Sequence, residues 1–124
     1  MQDRERTGAR AVTTVDVWTF ATEPAPAAAD LVGFSVEAID GGIGKIDEAT
    51  EETGRAHLIV DTGPWIFGKK VMLPAGVVDR VDLDAETVFV GKTKDEIKNA
   101  PEFDDSMRDD DRYRERLGGY YGGR

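Results

Sequence analysis

The fold of this chain is decided by one stretch of its sequence, Val60-Asp61-Thr62-Gly63-Pro64-Trp65-Ile66-Phe67-Gly68-Lys69-Lys70-Val71-Met72-Leu73-Pro74-Ala75-Gly76-Val77-Val78. Gly63-Pro64 turns the chain after an apolar run, and Gly68 lets it bend back toward the next run. Leu73-Pro74-Ala75-Gly76 then interrupts the pattern again before Val77. Short apolar runs between such breaks are typical of consecutive β-strands, so the stretch predicts strands joined by tight connections.

The same pattern continues on both sides of this stretch and predicts six short strands in all. Glycine-containing turns separate them, among them Gly41-Gly42 and Gly54. Because every connection is short, we expect an antiparallel meander rather than parallel β-α-β units. Short strands need their sheet edges closed or covered, so the sequence predicts an all-β fold, a small antiparallel β-barrel with short C-terminal helices. The predicted strands are 33–38, 43–49, 55–62, 69–73, 77–82 and 87–90.

A short helix is predicted directly after the last strand. Thr93 and Glu96 have the spacing of a capping box, in which each side chain satisfies a backbone N–H of the first helical turn. Ile97 is the apolar anchor of this helix, and Pro101 ends it. The following segment, 107–117, is highly charged and predicts a helix that is marginal unless something holds it.

The 124 residues amount to one domain, and differences in composition and apolar pattern divide it into three regions. They are an N-terminal arm and linker over 1–29, the barrel over 30–104, and a charged, Gly/Tyr-rich tail over 105–124. The arm carries a patch around Trp18 and Phe20 that is apolar on both faces and therefore needs cover on both. We expect it to dock on the barrel or on a second chain, and we predict a homodimer.

Composition excludes several kinds of site and partner. The chain has no cysteine and a single histidine, His57, which excludes disulfides, thiolate metal sites and sites of several imidazoles. No metal and no cofactor are therefore predicted. The 25 acidic and 16 basic residues give a net charge of −9, from which we predict no nucleic acid partner. No apolar run approaches the roughly 20 residues of a membrane helix, and the charged N-terminus lacks a signal-peptide pattern, so we predict a cytoplasmic protein without membrane insertion.

One short motif invites a catalytic interpretation. Asp61-Thr62-Gly63 follows three apolar residues, as in the local signature of aspartic proteases, and a dimer would have to share a proton between two copies of Asp61. A small residue normally follows the glycine, whereas here Pro64 and the bulky Trp65 follow. A dimeric aspartic-type protease thus stays a weak alternative, and the sequence favours a protein that is not an enzyme.

Three blocks of sequence together resemble a known family. They are the stretch quoted above, Asp40-Gly41-x-Ile43-Gly44-Lys45-Ile46-Asp47 upstream of it, and Thr93-Lys94-Asp95-Glu96-Ile97-Lys98-Asn99-Ala100-Pro101 downstream. In content, order and spacing they resemble the PRC-barrel family, whose members resemble the cytoplasmic domain of the photosynthetic reaction-centre H subunit. A related domain forms the C-terminal half of a ribosome-maturation factor. The resemblance covers roughly residues 30–104 and implies a barrel that serves as a scaffold in many settings.

What the resemblance implies for function is a non-catalytic, cytoplasmic protein-interaction module with an unidentified protein partner. The alternative it implies is an electron-transport accessory protein like the reaction-centre H subunit. In those relatives the domain assists proton delivery to a quinone through carboxylates and histidines. Those residues have no individual counterparts that can be assigned in this sequence.

The candidate partner-binding residues lie beside the second strand break and in the tail. Trp65 and Phe67 either plug the end of the barrel or dock a partner, and the lysines that follow either pair with an acidic partner or guard an edge strand. The tail places its acids before its bases, as the helix dipole prefers, and is expected to be a docking element that orders fully only against a partner. The candidates are Trp65, Phe67, Lys69, Lys70, Tyr113, Leu117, Tyr120 and Tyr121.

Overall fold

A computed structural model describes residues 17–20, 27–52, 55–63 and 69–122 of the chain. Its six strands form one sheet with the order β4-β3-β2-β1-β6-β5. Two α-helices and three short 3-10 helices complete the described part. The strands are β1 Ser35–Ala38, β2 Gly41–Thr50, β3 His57–Asp61, β4 Lys70–Pro74, β5 Val78–Asp82 and β6 Thr87–Val90; the helices are α1 Lys94–Lys98 and α2 Asp111–Gly122; the 3-10 helices are Ala28–Leu31, Ala75–Val77 and Asp105–Met107.

The six predicted strands are confirmed, each within two residues of its predicted ends. The prediction that all of them pair antiparallel is wrong for one ladder. β1 pairs with β6 in parallel, with Val36 opposite Val88. The reason is that the hairpin of β5 and β6 brings β6 back along the side of β1 that β2 leaves free. No such return is visible in the local pattern of the sequence.

Irregular pairing shapes the sheet near its centre. Bulges interrupt the pairing of β1 with β2 and of β2 with β3, and such bulges bend and twist the strand that carries them. At Gly44, φ is +150°, and a Cβ there would collide with the carbonyl oxygen of Asp61 on the neighbouring strand. Glycine is thus required at this position, because β2 approaches β3 closely while its backbone is in a conformation that other residues avoid.

The sheet is open between β4 and β5, since within the described residues no ladder joins these two edges. Helix α2 lies at this opening. Its residue Tyr121 borders both the concave surface beside β4 and the one beside the start of β5. Tyr113, Leu117 and Tyr121 are all buried and belong to the same apolar core as the strands. A helix that covers sheet edges protects them from unwanted pairing, and here it replaces closure by hydrogen bonds.

The N-terminal patch is covered by its own chain. Phe20 is buried, and Trp18 packs against the core of the sheet. The carbonyl oxygens of Val17 and Trp18 accept hydrogen bonds of 2.7 and 3.0 Å from the backbone N–H groups of Gly76 and Ala56. The prediction of a homodimer was based on a patch that lacked cover, so this packing removes its physical basis. The rest of the predicted patch, 12–16, lies outside the described residues.

Helix α1 begins with the predicted capping box. Thr93 Oγ1 accepts from the N–H of Glu96 at 3.1 Å, and Glu96 Oε1 accepts from the N–H of Thr93 at 2.8 Å. The second of these bonds lowers the pKa of the Glu96 carboxyl group. Asp40 Oδ1 accepts from the N–H of Lys94 at 2.8 Å, which fixes α1 to the turn between β1 and β2. Over the described ranges, no helix is long and apolar enough to cross a membrane.

Candidate binding groove at the edge strand β4

The structure brings three of the predicted partner-binding residues together at one groove. Lys69 and Lys70 stand at the start of β4, and Tyr121 reaches the same place from α2. We call this the edge groove, and its lining consists of residues 69–72, 97–98, 100–103 and Tyr121. Its volume is about 140 Å³, and a shallower depression of about 320 Å³ adjoins it, lined by residues 69–70 and 103–105. Trp65 and Phe67 lie outside the described residues.

The far wall of the groove is the segment that follows α1. After the helix ends, Pro101 lines the groove, and Phe103 is buried in the core. The hydroxyl of Tyr113 donates to the carbonyl oxygen of Pro101 at 3.0 Å, and the Tyr113 ring lies 5.9 Å from that of Phe103. Helix α2 therefore holds this wall at a fixed distance from β4.

The near wall is the free edge of β4. Thr62 N–H donates to Lys69 O, and Ala75 N–H donates to Ala56 O, so the odd-numbered residues 69 to 75 exchange their hydrogen bonds with β3. Antiparallel strands alternate in this respect, so the N–H and C=O groups of Lys70 and Met72 point away from β3. No other part of the described chain pairs with these groups. Met72 is only 1% exposed, so among these groups only those of the half-buried Lys70 border the groove where it meets solvent.

The charged groups of the groove and of the adjoining depression are mixed. Lys69, Lys70 and Lys98 contribute ammonium groups, and the carboxylates belong to Glu102 in the groove and to Asp104 and Asp105 in the depression. Lys69 Nζ lies 3.5 Å from Glu102, and Lys70 Nζ donates to Asp47 at 2.8 Å, which raises the pKa of the Lys70 ammonium group. Both pairs are exposed to solvent, where such ion pairs contribute little to stability. Their lysines can therefore exchange these carboxylates for those of a partner at small cost.

Tyr121 brings an unsatisfied hydroxyl to the groove. Its side chain is buried, and its Oη has no hydrogen-bond partner in the part of the chain that the structure describes. Burial raises the pKa of this phenol. The neighbouring Tyr120 differs, because it is 41% exposed and its hydroxyl donates to the carbonyl oxygen of Glu96 at 2.6 Å. A buried hydroxyl without a partner lowers stability, so the ring of Tyr121 contributes to the core whereas its hydroxyl does not.

The remaining tail candidates do not form an exposed face. Tyr113 and Leu117 are fully buried in the core of the chain itself. This differs from the expectation that the tail orders only against a partner, because α2 packs on the strands it follows. The four-residue spacing of Tyr113, Leu117 and Tyr121 could have predicted this buried face, since residues four apart share one side of a helix. The predicted helix ended at Leu117, before the Gly/Tyr-rich residues 118–123, and so did not include Tyr121.

The acidic run before α2 has a structural role. Asp110 Oδ1 accepts hydrogen bonds of 2.9 and 3.4 Å from the N–H groups of Arg112 and Tyr113, as an N-cap residue does. The buried Arg114 donates to the carbonyl oxygen of Arg108 at 2.7 Å and to Asp111 at 3.2 Å. These contacts fasten the first turn of α2 and thereby fix the position of the groove wall.

Asp61, the residue of the protease-like motif, stands alone at the end of β3 in the described chain. Its Oδ1 accepts from the N–H of Gly63 at 3.0 Å, which is a local turn of the kind Asp favours. The hydroxyl of Thr62 donates to the carbonyl oxygen of Lys69 at 2.8 Å and so brings together the two ends of the connection between β3 and β4. Asp61 and Thr62 therefore shape the start of the edge strand.

The alternation of His57 with Ala56 and Leu58 predicts a place on the face opposite the apolar residues, at the surface or in an interface, whereas the structure buries it within the chain. It is 7% exposed, because the Trp18 ring packs edge-on against it with 6.3 Å between the ring centroids. Its Nδ1–H donates to the carbonyl oxygen of Arg55 at 2.7 Å. Desolvation lowers the pKa of the imidazole, and the nearby guanidinium groups of Arg114 and Arg108 act in the same direction.

The chain matches no protein-family model and no curated protein. Among solved structures it is similar to RimM of Pseudomonas aeruginosa, described as a candidate 16S ribosomal RNA processing protein. The identity is 22% and the TM-score is 0.49. The similar region covers 58% of this chain and 46% of that one, so it spans less than half the length of the Pseudomonas protein.

The prediction that nucleic acid is excluded as a partner is wrong. The similar protein is described as acting in the processing of an RNA. The exclusion was based on the net charge of −9, which is a sum over the whole chain. Because association depends on the local potential of the surface in contact, a net charge does not exclude a class of partner. The exclusion is withdrawn.

Proposed function

We propose that this chain is a PRC-barrel module that binds a protein partner at the edge groove and catalyses no reaction. The family assignment is supported by where the three resembling blocks lie. The upstream block forms the turn between β1 and β2 and the first part of β2, and the downstream block forms α1 with its capping box. The central block runs from β3 through the start of β5 and contains the edge strand.

The observation that carries the binding function is a concave, largely apolar wall beside Lys69 and Lys70 at the start of β4. Edge strands are usually protected, and α2 covers much of this opening. Met72 is buried, whereas beside Lys69 and Lys70 the cover is incomplete and the groove remains. A surface with an apolar centre and a polar rim is typical of protein interfaces.

The non-catalytic part of the proposal is supported by the roles of the residues that invited a catalytic interpretation. The Asp61 carboxylate is engaged in a turn at the end of β3. The His57 imidazole is buried beneath Trp18 and hydrogen-bonded to Arg55. Both side chains have structural functions where they stand, and neither lies at the edge groove.

Affinity capture with charge-matched variants tests this proposal. The full chain is immobilised as wild type, as Lys69→Glu/Lys70→Glu, and as the control Lys45→Glu/Lys92→Glu, which makes the same change of charge away from the groove. Capture is repeated after ribonuclease treatment, and each captured protein is then purified and titrated directly. We expect a partner that the wild type and the control bind and the groove variant does not. Equal binding by all three would place the partner surface elsewhere.

A further inference from the structure

We propose that His57 forms an acid-sensitive switch beneath the N-terminal segment of the described chain, and that acid releases this segment from the rest of the domain. The segment is residues 17–20, which we call the N-terminal strap. No strap residue lines the edge groove and the switch needs no partner, so it goes beyond the proposed function and is independent of it. Three features support it: the cover over His57, the charges around the imidazole, and the attachment of the strap.

The strap covers the imidazole of His57. The Trp18 ring packs against it at 88°, with 6.3 Å between the ring centroids, and His57 is only 7% exposed. Its Nδ1–H donates to the carbonyl oxygen of Arg55 at 2.7 Å, whereas the described chain provides no hydrogen-bond partner for Nε2. A proton added at Nε2 therefore places a charge under the indole without a protein acceptor, and burial of a charge in this way is costly.

The charges around His57 oppose its protonation. Burial lowers the pKa of the imidazole most, and the guanidinium groups of Arg114 and Arg108 lower it further, whereas the bond to Arg55 and the Glu48 carboxylate raise it. Each carboxylate of this cluster already neutralises an arginine. The pairs are Glu48 and Asp105 with Arg108, Asp109 and Asp111 with Arg114, and Asp111 with Arg55.

The other elements that pack on His57 bring no charge to it. Thr50 and Pro74 lie opposite His57 in the neighbouring strands, and the four strap residues are uncharged. The strap therefore offers an imidazolium no ion pair, and its removal lets water solvate that charge.

The strap is less firmly attached than the strands beneath it. Val17 O accepts from the N–H of Gly76 at 2.7 Å. Trp18 O accepts from the N–H of Ala56 at 3.0 Å, but the strap contributes no strand to the sheet. Val17 and Trp18 are only partly buried, and Thr19 is exposed. Segments of this kind open at a lower free energy than core strands, so water reaches the imidazole most readily by displacement of the strap.

Release of the strap uncovers one side of helix α2. A Cβ at Gly118 would lie 2.9 Å from Trp18 Nε1, and one at Gly122 would lie 3.6 Å from Val17 Cβ. The strap thus lies directly on these two glycines. Acid exposes this glycine surface of α2, which the strap covers at neutral pH.

The pH range of the switch follows from the two states of His57. With the strap released, the imidazole is solvated and has its ordinary pKa of 6.5; with the strap in place, the pKa is lower. The released state therefore binds more protons. Attachment is strongest above pH 6.5 and weakens by up to about tenfold per pH unit as the pH falls from there through the lowered pKa.

NMR of the full, isotope-labelled chain between about pH 7.5 and about pH 5 tests the switch. His57 is the single histidine, so its ring resonances report its protonation directly. Protection of the Ala56 and Gly76 amides from hydrogen exchange, relative to an unstructured peptide at the same pH, measures attachment of the strap. We expect this protection to fall by up to about tenfold per unit below pH 6.5, while that of Val71, which bonds β3, changes less than about twofold.

Two variants complete the test. His57→Gln keeps a polar side chain that cannot gain a proton, so the protection of Ala56 and Gly76 should no longer depend on pH. Glu48→Gln removes a carboxylate that favours the imidazolium, so the midpoint of His57 and the lower end of the fall in protection should both move to lower pH. This second variant tests the switch even where His57→Gln does not fold.

Constant protection of Ala56 and Gly76 while His57 titrates would overturn the inference, because the imidazolium would then be tolerated beneath the strap. An equal fall in His57→Gln would assign the effect to another group. An equal loss of protection at Val71 would mean that acid unfolds the sheet instead of releasing the strap.

Discussion

The two ends of helix α2 are held in different ways. At its first turn, Asp110 caps the helix, Arg114 bonds the carbonyl of Arg108, and the Tyr113 hydroxyl bonds the carbonyl of Pro101. At its last turn, Tyr121 is also buried but its hydroxyl has no partner in the described chain, and Tyr120 is 41% exposed and donates to the carbonyl oxygen of Glu96. Arg114 Nε at the first turn likewise has no partner among the described residues. The first end is thus fastened by more hydrogen bonds, whereas the last end borders the edge groove through Tyr121.

The largest expected effect is at the fastened end. Tyr113→Ala removes a fully buried ring from the core together with its hydrogen bond to Pro101. We expect the free energy of unfolding to fall by about 3–5 kcal/mol, measured by urea denaturation. Tyr120→Ala is the control, because its side chain is 41% exposed, and it should cost no more than about 1 kcal/mol. Similar losses for the two variants would contradict the burial of Tyr113.

Removal of the hydroxyl group should change the free energy of unfolding in different directions at the two buried tyrosines. Tyr113→Phe loses a hydroxyl that donates to Pro101, so we expect the free energy of unfolding to fall by about 1 kcal/mol. Tyr121→Phe removes a hydroxyl without a partner, so stability should stay the same or rise by up to about 1 kcal/mol. Equilibrium denaturation of both variants under the same conditions measures the difference. A loss at Tyr121→Phe equal to that at Tyr113→Phe would show that the two ends are satisfied alike.

Stability should depend on pH through His57, which lies near Arg114 of the first turn of helix α2. In the folded chain the pKa of His57 lies below its ordinary value of 6.5, because burial disfavours the imidazolium beside Arg114 and Arg108, although Glu48 opposes this. The unfolded chain therefore binds more protons, and the His57 contribution to stability is present above pH 6.5 and lost as the pH falls from there through the lowered pKa. Denaturation of the wild type and of His57→Gln across this range isolates the contribution. Parallel curves for the two proteins would contradict it.

Much of the sheet could be predicted from the sequence, because strands of this kind depend on local alternation and on turn residues. The break at Pro74-Ala75-Gly76 and the capping box at Thr93 are local in the same sense. The parallel ladder of β1 with β6 could not be predicted, since Val36 and Val88 meet through the return of a distant hairpin. The sequence of a single strand does not determine which distant strand it pairs with.

The candidate groove was predicted only in part for a similar reason. Lys69 and Lys70 stood out as neighbours of a strand break, but Ile97 and Phe103 join them only through the packing of the segment after α1. The segment 107–117 was predicted to be a marginal helix because it is highly charged, and the predicted helix stopped before Gly118. In the structure a Cβ at Gly118 would lie 2.9 Å from Trp18 Nε1, so this glycine allows the helix to pass close to the indole and continue.

The central claim is that the edge groove beside Lys69 and Lys70 binds the partner, and amide hydrogen exchange at single-residue resolution tests it most directly. In the free chain, the N–H group of Val71 bonds β3, whereas that of the half-buried Lys70 faces away from β3 and has no partner among the described residues. The account predicts that the Lys70 amide exchanges at least about tenfold faster than the Val71 amide, and that a bound partner removes this difference. Unchanged exchange at Lys70 when the partner is bound would contradict it.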